Sequence, residues 1–310
     1  MMDRRSFLAG LAATLLPAAA SANPVEWIVS LLWEASHDPS LCGARNAAVQ
    51  GTLSRLEGVN LPEYGKVIVV NIPSGVVTAY QDGIPVIESR AVVGNPSTPT
   101  PELDTRVTFV RPNPTWTVPE SIVTRKGWRA KLAEDPAYFA DNGFQIMVGG
   151  QMVSAYDAAP HAREVQRFVQ QPGPYNALGL LKIGLHNSNA IYLHDTNQPS
   201  NYDADLRAAS AGCIRIEDVR DIAAWILGLS RHDIDAMIDA DDMTDYVPGE
   251  TVRVVIGYWT AWPDANGQLR FYPDIYEMDG AGEDCTQSAA GHAESRSYAP
   301  GSLWREYETR

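Results

Sequence analysis

Cysteine, basic residues and long apolar runs are all scarce in this sequence. Its 310 residues include three cysteines, an odd number, so at least one thiol stays unpaired. Lysine and arginine number 24 against 38 aspartate and glutamate, giving a formal net charge of −14 and a pI near 4.8. That deficit of positive charge argues against a nucleic-acid partner, which needs a basic surface, and against adhesion to anionic lipid. No internal repeat is visible. Beyond the first 22 residues no apolar stretch reaches the ~20 residues that span a bilayer. What is present is ordinary: 45% hydrophobic and 20% charged residues, enough to bury a core in one or two domains.

The one long apolar run lies at the start. Asp3-Arg4-Arg5-Ser6-Phe7-Leu8 resembles a twin-arginine export signal. Phe7 to Ala20 follows as an apolar stretch broken by Pro17, and Ala20-Ser21-Ala22 is a small-x-small cleavage site. Residues 1–22 are therefore expected to be a removed signal, with the mature chain periplasmic and free of transmembrane segments. In an oxidising compartment, Cys42 and Cys285, in polar contexts near the two ends, are expected to pair and leave Cys213 free.

Residues 23–60 show helical spacing at Val25, Ile28, Leu31 and Leu32, then at Ala47, Val49, Leu53 and Leu56, interrupted at Asp38-Pro39-Ser40. They read as a helical arm. From Lys66 the pattern changes to β-branched runs, Lys66 to Asn71 and Val76 to Tyr80, with Gln81-Asp82-Gly83 as a hairpin turn into Ile84 to Val93. Such spacing implies a mainly β, α+β domain over 61–278, built as an antiparallel β-sandwich. Residues 111–176 interrupt it with Pro119 to Leu132 and Pro136 to Asn142, read as an inserted helical lid. The lid carries Arg125, Lys126, Arg129 and Lys131, either a solvated face or a docking patch for carboxylates. Strands Leu180 to Leu185 and Ala190 to Leu193 resume the core. A helix is expected over Glu217 to Leu229, with Glu217 and Asp218 at its positive end. Val252 to Thr260 and Leu269 to Tyr276 are expected to form a second hairpin around Asn266-Gly267. Residues 279–310 form a polar tail.

Two residues stand out for chemistry. His194 ends an apolar strand, where a rigid scaffold can hold an imidazole. Cys213 follows Gly212, which permits close backbone approach, and precedes the expected helix, whose positive N-terminus would favour the anionic sulfur. A thiol needs a base to become a nucleophile, and neighbouring amides can stabilise an oxyanion. From spacing alone, an inert buried cysteine beside a structural histidine remains the other reading.

His194-Asp195-Thr196 ahead of Ser210-Ala211-Gly212-Cys213-Ile214-Arg215 resembles the signature of the YkuD-type L,D-transpeptidases, in the branch typified by YcbB. Val69-Val70-Asn71-Ile72-Pro73, Tyr80-Gln81-Asp82-Gly83, Val93-Gly94-Asn95-Pro96, Pro172 to Gly179, Tyr192-Leu193 and Asp274-Ile275-Tyr276 carry the same likeness. The resemblance implies Cys213 as nucleophile, His194 as general base, and Ser210, Gly212 and Ile214 as the active-site loop around the oxyanion. Tyr192, Arg215 and Trp116 would face substrate, Arg215 either binding a stem carboxylate or bracing the loop. The donor would be a peptidoglycan stem tetrapeptide, whose terminal D-alanine leaves as a thioester forms. An amine of a neighbouring stem would then resolve the thioester into a crosslink. A hydrolase on the same fold is the alternative, including one that detaches a wall-bound lipoprotein. Carbapenem-type inhibitors would acylate the same thiol. No cofactor or metal is expected, because one cysteine and one histidine are not a zinc ligand set. Ala211 stands where many relatives carry histidine. It leaves His194 as base with His186 as rival, while His37, His161, His232 and His292 read as surface residues. No separate peptidoglycan-binding module is recognisable.

Overall fold

A computed structural model describes residues 24–41, 43–59, 61–62, 64–187, 189–264 and 266–280. Two helices come first, α1 (Pro24–Ser36) and α2 (Ala44–Leu56). The strands β1 (Lys66–Asn71), β2 (Val76–Gln81), β3 (Ile84–Gly94) and β4 (Leu103–Pro112) follow. The turn between β2 and β3 has Asp82 and Gly83 at φ 52° and 78°, the paired positive values of a tight hairpin.

Next comes an inserted subdomain: β5 (Trp116–Thr117), α3 (Glu120–Arg125), α4 (Trp128–Glu134), α5 (Pro136–Asp141), β6 (Phe144–Val148), β7 (Gln151–Val153), α6 (Ala155–Ala158) and β8 (Val165–Gln170). The chain then returns through β9 (Leu181–Leu185), β10 (Tyr192–His194), β11 (Ala208–Ser210) and β12 (Ile214–Ile216). It continues through α7 (Val219–Leu227), α8 (Arg231–Asp239), β13 (Val252–Gly257), β14 (Ala261–Pro263) and β15 (Leu269–Phe271).

Nine strands make one sheet in the order β11-β3-β12-β10-β9-β4-β13-β1-β2, and β2 pairs back to β3. Two strands change partners along their length. β3 pairs with β2 through Ile84–Arg90 and with β12 through Ala91 and Val92. β4 pairs with β13 through Leu103–Arg106 and with β9 through Val107–Pro112. Each therefore passes from one layer to the other, and the sheet closes around its core. The core holds Ile68 and Val70 of β1, Ile183 of β9, Leu193 of β10 and Ile214 of β12, together with Ile222 of α7 and Ile234 of α8. A second apolar cluster covers the outer face of β1, where Val67 and Val69 meet α1, α2 and Trp262. Burial on both faces explains why β1 reads as a continuous apolar run rather than an alternating one.

The α+β, sheet-based fold agrees with expectation, but the pairing is mixed rather than purely antiparallel. β1–β13, β10–β12 and β3–β11 are parallel. These partners lie far apart in sequence, and no hairpin turn dictates their direction. The second expected hairpin is shorter: β14 pairs with β15, and β13 belongs to the main sheet. The inserted segment is not only helical. Its strands form an antiparallel sheet in the order β5-β8-β6-β7, with Gly149 and Gly150 at φ 58° and 79° turning β6 into β7. The insertion has its own aromatic centre, where Trp128 meets the edges of Phe139, Phe144 and Phe168 at 5.2–5.5 Å between centroids. In its basic cluster Arg129 pairs with Glu120 and Lys131 with Asp135, so two of the four cations serve the local surface. Among the described residues no helix is long and apolar enough to cross a membrane. The expected export signal, the cysteines of the expected Cys42–Cys285 pairing and residues 281–310 of the expected polar tail lie outside the described residues.

Candidate active site

Side chains alternate across a strand, and that alternation builds the site. Leu193 and Ile214 point into the core, so Tyr192, His194 and Arg215 point the opposite way. Pairing aligns Arg111 of β4, Lys182 of β9, His194 of β10 and Arg215 of β12 in one row across four strands. Phe109, Gly184 and Tyr192 form the adjacent row, with Cys213 next to it, one residue before Ile214. Gly184 is required there: a Cβ would stand 2.4 Å from the Phe109 ring. The Lys182 ammonium lies 4.3 Å from the centre of the Tyr192 ring.

Cys213 is half-buried and its thiol lies 3.7 Å from the carbonyl of Ala190. Burial pushes the thiol above its ordinary range; the Tyr192 amide and hydroxyl, then Lys182 and Arg215, pull it back. His194 is 5% exposed, and its Nδ1 pairs with the Asp195 carbonyl at 2.5 Å. Burial, reinforced by the Arg215 and Lys182 charges, takes its pKa down to about 3, so the imidazole is neutral at neutral pH. The two residues singled out by sequence thus share a face. Among the described residues, the thiol's hydrogen-bond partners are Ala190 and Tyr192, and His194 is not one of them. Tyr192 contacts both: it meets the thiol, and its ring centre lies 5.5 Å from that of His194. The Trp116 side chain reaches Tyr192 from the inserted subdomain.

Arg215 is half-buried, and among the described residues its Nε and Nη1 are enclosed without a hydrogen-bond partner, as is the hydroxyl of Tyr202. The guanidinium therefore does not brace the loop through those two nitrogens. Ser210 does the bracing: its hydroxyl donates to the Cys213 carbonyl at 2.5 Å and accepts the Gly212 amide at 3.1 Å. That amide is consequently occupied within the turn. Gly212 itself sits at φ 111°, where a side chain would be strained. The Ile214 side chain is fully buried in the core and does not line the site. The expected helix dipole is also absent from the thiol, because β12 intervenes and α7 begins only at Val219. Glu217 instead holds Arg90 at 2.5 Å, and Asp218 accepts from Ser89. His186, the rival base, is exposed at the end of β9, and His37, His161 and His232 are exposed; His292 lies outside the described residues.

Two supports went unrecognised in the sequence. The nucleophile turn is tied to the 94–100 loop: Thr100 Oγ1 donates to the Gly212 carbonyl at 2.8 Å, and Asn95 Nδ2 to the Ser210 carbonyl at 3.0 Å. Tyr276 holds that loop by donating to the Gly94 carbonyl and accepting the Thr100 amide. On the histidine side, buried Asn176 donates to the carbonyls of Pro114 and Gln171 and accepts the Leu178 amide. The Leu178 carbonyl faces His194. Asp195 accepts the Leu180 amide, and its carboxylate packs where a Cβ on Gly179 would lie, 2.5 Å away. The sequence signals were the density of Gly, Asn and Pro in these loops and the family likeness of the stretches holding Asn95, Asn176 and Tyr276, neither of which shows what these side chains hold.

The desolvated thiol carries a testable consequence. Alkylation of Cys213 by iodoacetamide rises with pH through and beyond the ordinary thiol range, because the thiolate is the reacting form. Lys182→Gln and Arg215→Gln each shift the profile to still higher pH, since each removes a cation that favours the thiolate. A rate already flat near neutral pH contradicts this electrostatic assignment.

A closed mixed sheet presenting a cysteine and a buried neutral histidine on one outer face defines a class of thiol–histidine sites on sheet-based α+β folds. Residues 65–256, well over half of the chain, match the L,D-transpeptidase catalytic domain model, YkuD. The chain belongs to that family. It is 30% identical over 225 residues to a Haemophilus influenzae protein designated a candidate L,D-transpeptidase, a match covering 71% of this chain and 46% of that protein. The chain thus spans about half the length of that curated relative. Among solved structures, an L,D-transpeptidase from Mycobacterium smegmatis is similar at TM-score 0.29 and 12% identity, over 62% of this chain and 58% of that one. L,D-transpeptidase 3 from Mycobacterium tuberculosis gives TM-score 0.29 and 15% identity, over 62% and 60%.

Proposed function

We propose that this chain is an exported, periplasmic L,D-transpeptidase that crosslinks peptidoglycan stem peptides through a thioester on Cys213. The observation that carries the reading is the row Lys182, His194 and Arg215 beside Cys213: a thiol, a neutral base and two half-buried cations on one face. Stem peptides bear carboxylates, and Arg215 with Tyr202 offers enclosed donors that lack a partner. A carboxylate meeting that guanidinium makes charge-assisted hydrogen bonds.

The ground state is a neutral thiol beside a neutral imidazole, not a preformed ion pair. Attack on the donor carbonyl forms the S–C bond while the thiol proton passes to His194 across the row where Tyr192 contacts both. The imidazolium is short-lived in so buried a site and returns that proton to the departing amine as the C–N bond breaks. D-Alanine leaves and the thioester remains. An acceptor amine then attacks the thioester, gives its proton to His194, and the departing thiolate recovers it as thiol. The inserted subdomain, with Trp116 against Tyr192, serves as the lid that favours the amine over water.

Incubating the purified protein with disaccharide tetrapeptide and analysing products by mass spectrometry tests the reading. Crosslinked dimers with release of D-alanine are expected. Disaccharide tripeptide without dimers assigns a hydrolase instead, and unchanged substrate removes the stem peptide as donor.

A further inference from the structure

On the opposite side of the molecule lies a second concavity. β1 sends Ile68 and Val70 into the core and Val69 and Asn71 outward. The outward face of β1, β2 and β3 is only partly covered by α1 and the β14–β15 hairpin. Between them remains a groove of about 310 Å³, at the small end of ligand pockets. Since Cys213 and His194 face outward from the other layer, the groove and the catalytic face stand back to back across the core.

We propose that this groove is a saccharide-binding site, fitted to an N-acetylated hexosamine of a glycan strand. Four aromatic side chains line it: Trp27, Tyr80, Trp262 and Tyr272. Such rings pack against the C–H face of a pyranose while planar amides and carboxylates take its hydroxyls. The polar groups decide between ligand classes. Asn71 is 2% exposed; its Oδ1 accepts the Trp259 amide at 3.2 Å, while its Nδ2 is enclosed without a partner among the described residues. Glu88 projects from β3 opposite Thr78 of β2, and its carboxylate has no ion pair or hydrogen bond among the described residues. Partial desolvation of this carboxylate at the groove edge and the nearby Asp264 raise its pKa, so extra negative charge is disfavoured there. Asp264 is already held by Arg270 at 2.7 Å and by the amides of Asn266 and Gln268.

The groove thus sets the Asn71 amide donor and the Glu88 carboxylate acceptor, neither paired among the described residues, within aromatic walls. Anions are opposed by Glu88 and Asp264. A small cation would meet a single uncommitted carboxylate and would leave the Asn71 amide unpaired. A sugar satisfies both groups: a hydroxyl donates to Glu88, and a ring, hydroxyl or acetamido oxygen accepts from Asn71. The choice of an acetylated amino sugar rests on the wall-substrate reading above; the groove's own chemistry requires only a saccharide.

The test uses the full chain carrying Cys213→Ala, so that the outcome does not depend on catalysis. Titration with the tetramer of N-acetylglucosamine, followed by tryptophan fluorescence and calorimetry, is expected to give saturable binding. Glu88→Ala is expected to weaken it about tenfold or more, the loss of a hydrogen bond to a charged group. Thr78→Trp, which fills the groove from β2, is expected to remove it. Glu88 is exposed, so its variant is expected to keep the parent's thermal melting curve. Absence of saturable binding overturns the proposal. So does binding unchanged in both variants, or saturable binding of tetramethylammonium in place of the sugar. Failure of the crosslinking assay would leave this binding result intact, and the reverse also holds.

Discussion

Replacing Cys213 by alanine abolishes acyl-enzyme formation and lowers crosslinking by roughly 10⁴-fold or more, the scale seen when a nucleophile is removed from a site that keeps its binding groups. The fold tolerates the change. Cys213 is half-buried, its thiol touches the Ala190 carbonyl and Tyr192, and the turn is held by Ser210 and Thr100 rather than by the thiol. The variant should therefore melt with the parent and still bind donor, while a carbapenem no longer adds covalently. Crosslinked product at the parental rate from purified Cys213→Ala would remove the thiol from the mechanism.

His194→Ala is expected to lower acylation by about 10²–10⁴-fold, the range of a general base. The same residue also sets a pH dependence of stability. Its pKa is about 3 in the folded chain against an ordinary 6.5, so below about pH 6.5 the unfolded chain binds the proton that the folded chain refuses. Stability from this residue is full above about pH 6.5 and is lost as pH falls toward about 3. Between about pH 7 and pH 4 the loss is on the order of 3 kcal/mol. Urea unfolding at the two pH values should show a smaller difference for His194→Gln than for the parent. An identical difference in both proteins would mean that His194 is not held neutral by burial.

Much of this site was legible because strands write their geometry into sequence. Ile191 to His194 alternates, and the Gly-Cys pair marks a tight turn. The partner of that turn was not legible. Thr100, Asn95 and Tyr276 lie far from Cys213 in sequence and act through hydrogen bonds that no local pattern reveals. Arg215 could not be assigned either, because bracing and binding require the same residue type; among the described residues its Nε and Nη1 make no hydrogen bond to the loop. The expected dipole at Cys213 failed for a local reason. Ile214 to Ile216 is too short to stand out as a strand, yet it pairs with β10 and displaces the helix. In the insertion, Trp128, Phe139, Phe144 and Phe168 build a compact core that spacing could not foretell, since the short strands between them barely alternate. Parallel pairing escaped for a related reason, as it joins segments that no turn connects.

The central claim is that Cys213 carries the donor as a thioester. The direct measurement is mass spectrometry of the intact protein and its peptides after brief incubation with disaccharide tetrapeptide and acid quench. The predicted result is a mass increase equal to the donor less D-alanine, located on the peptide containing Cys213 and discharged by an added acceptor amine. Crosslinked product formed without any adduct on Cys213, or with the adduct on another residue, would contradict it.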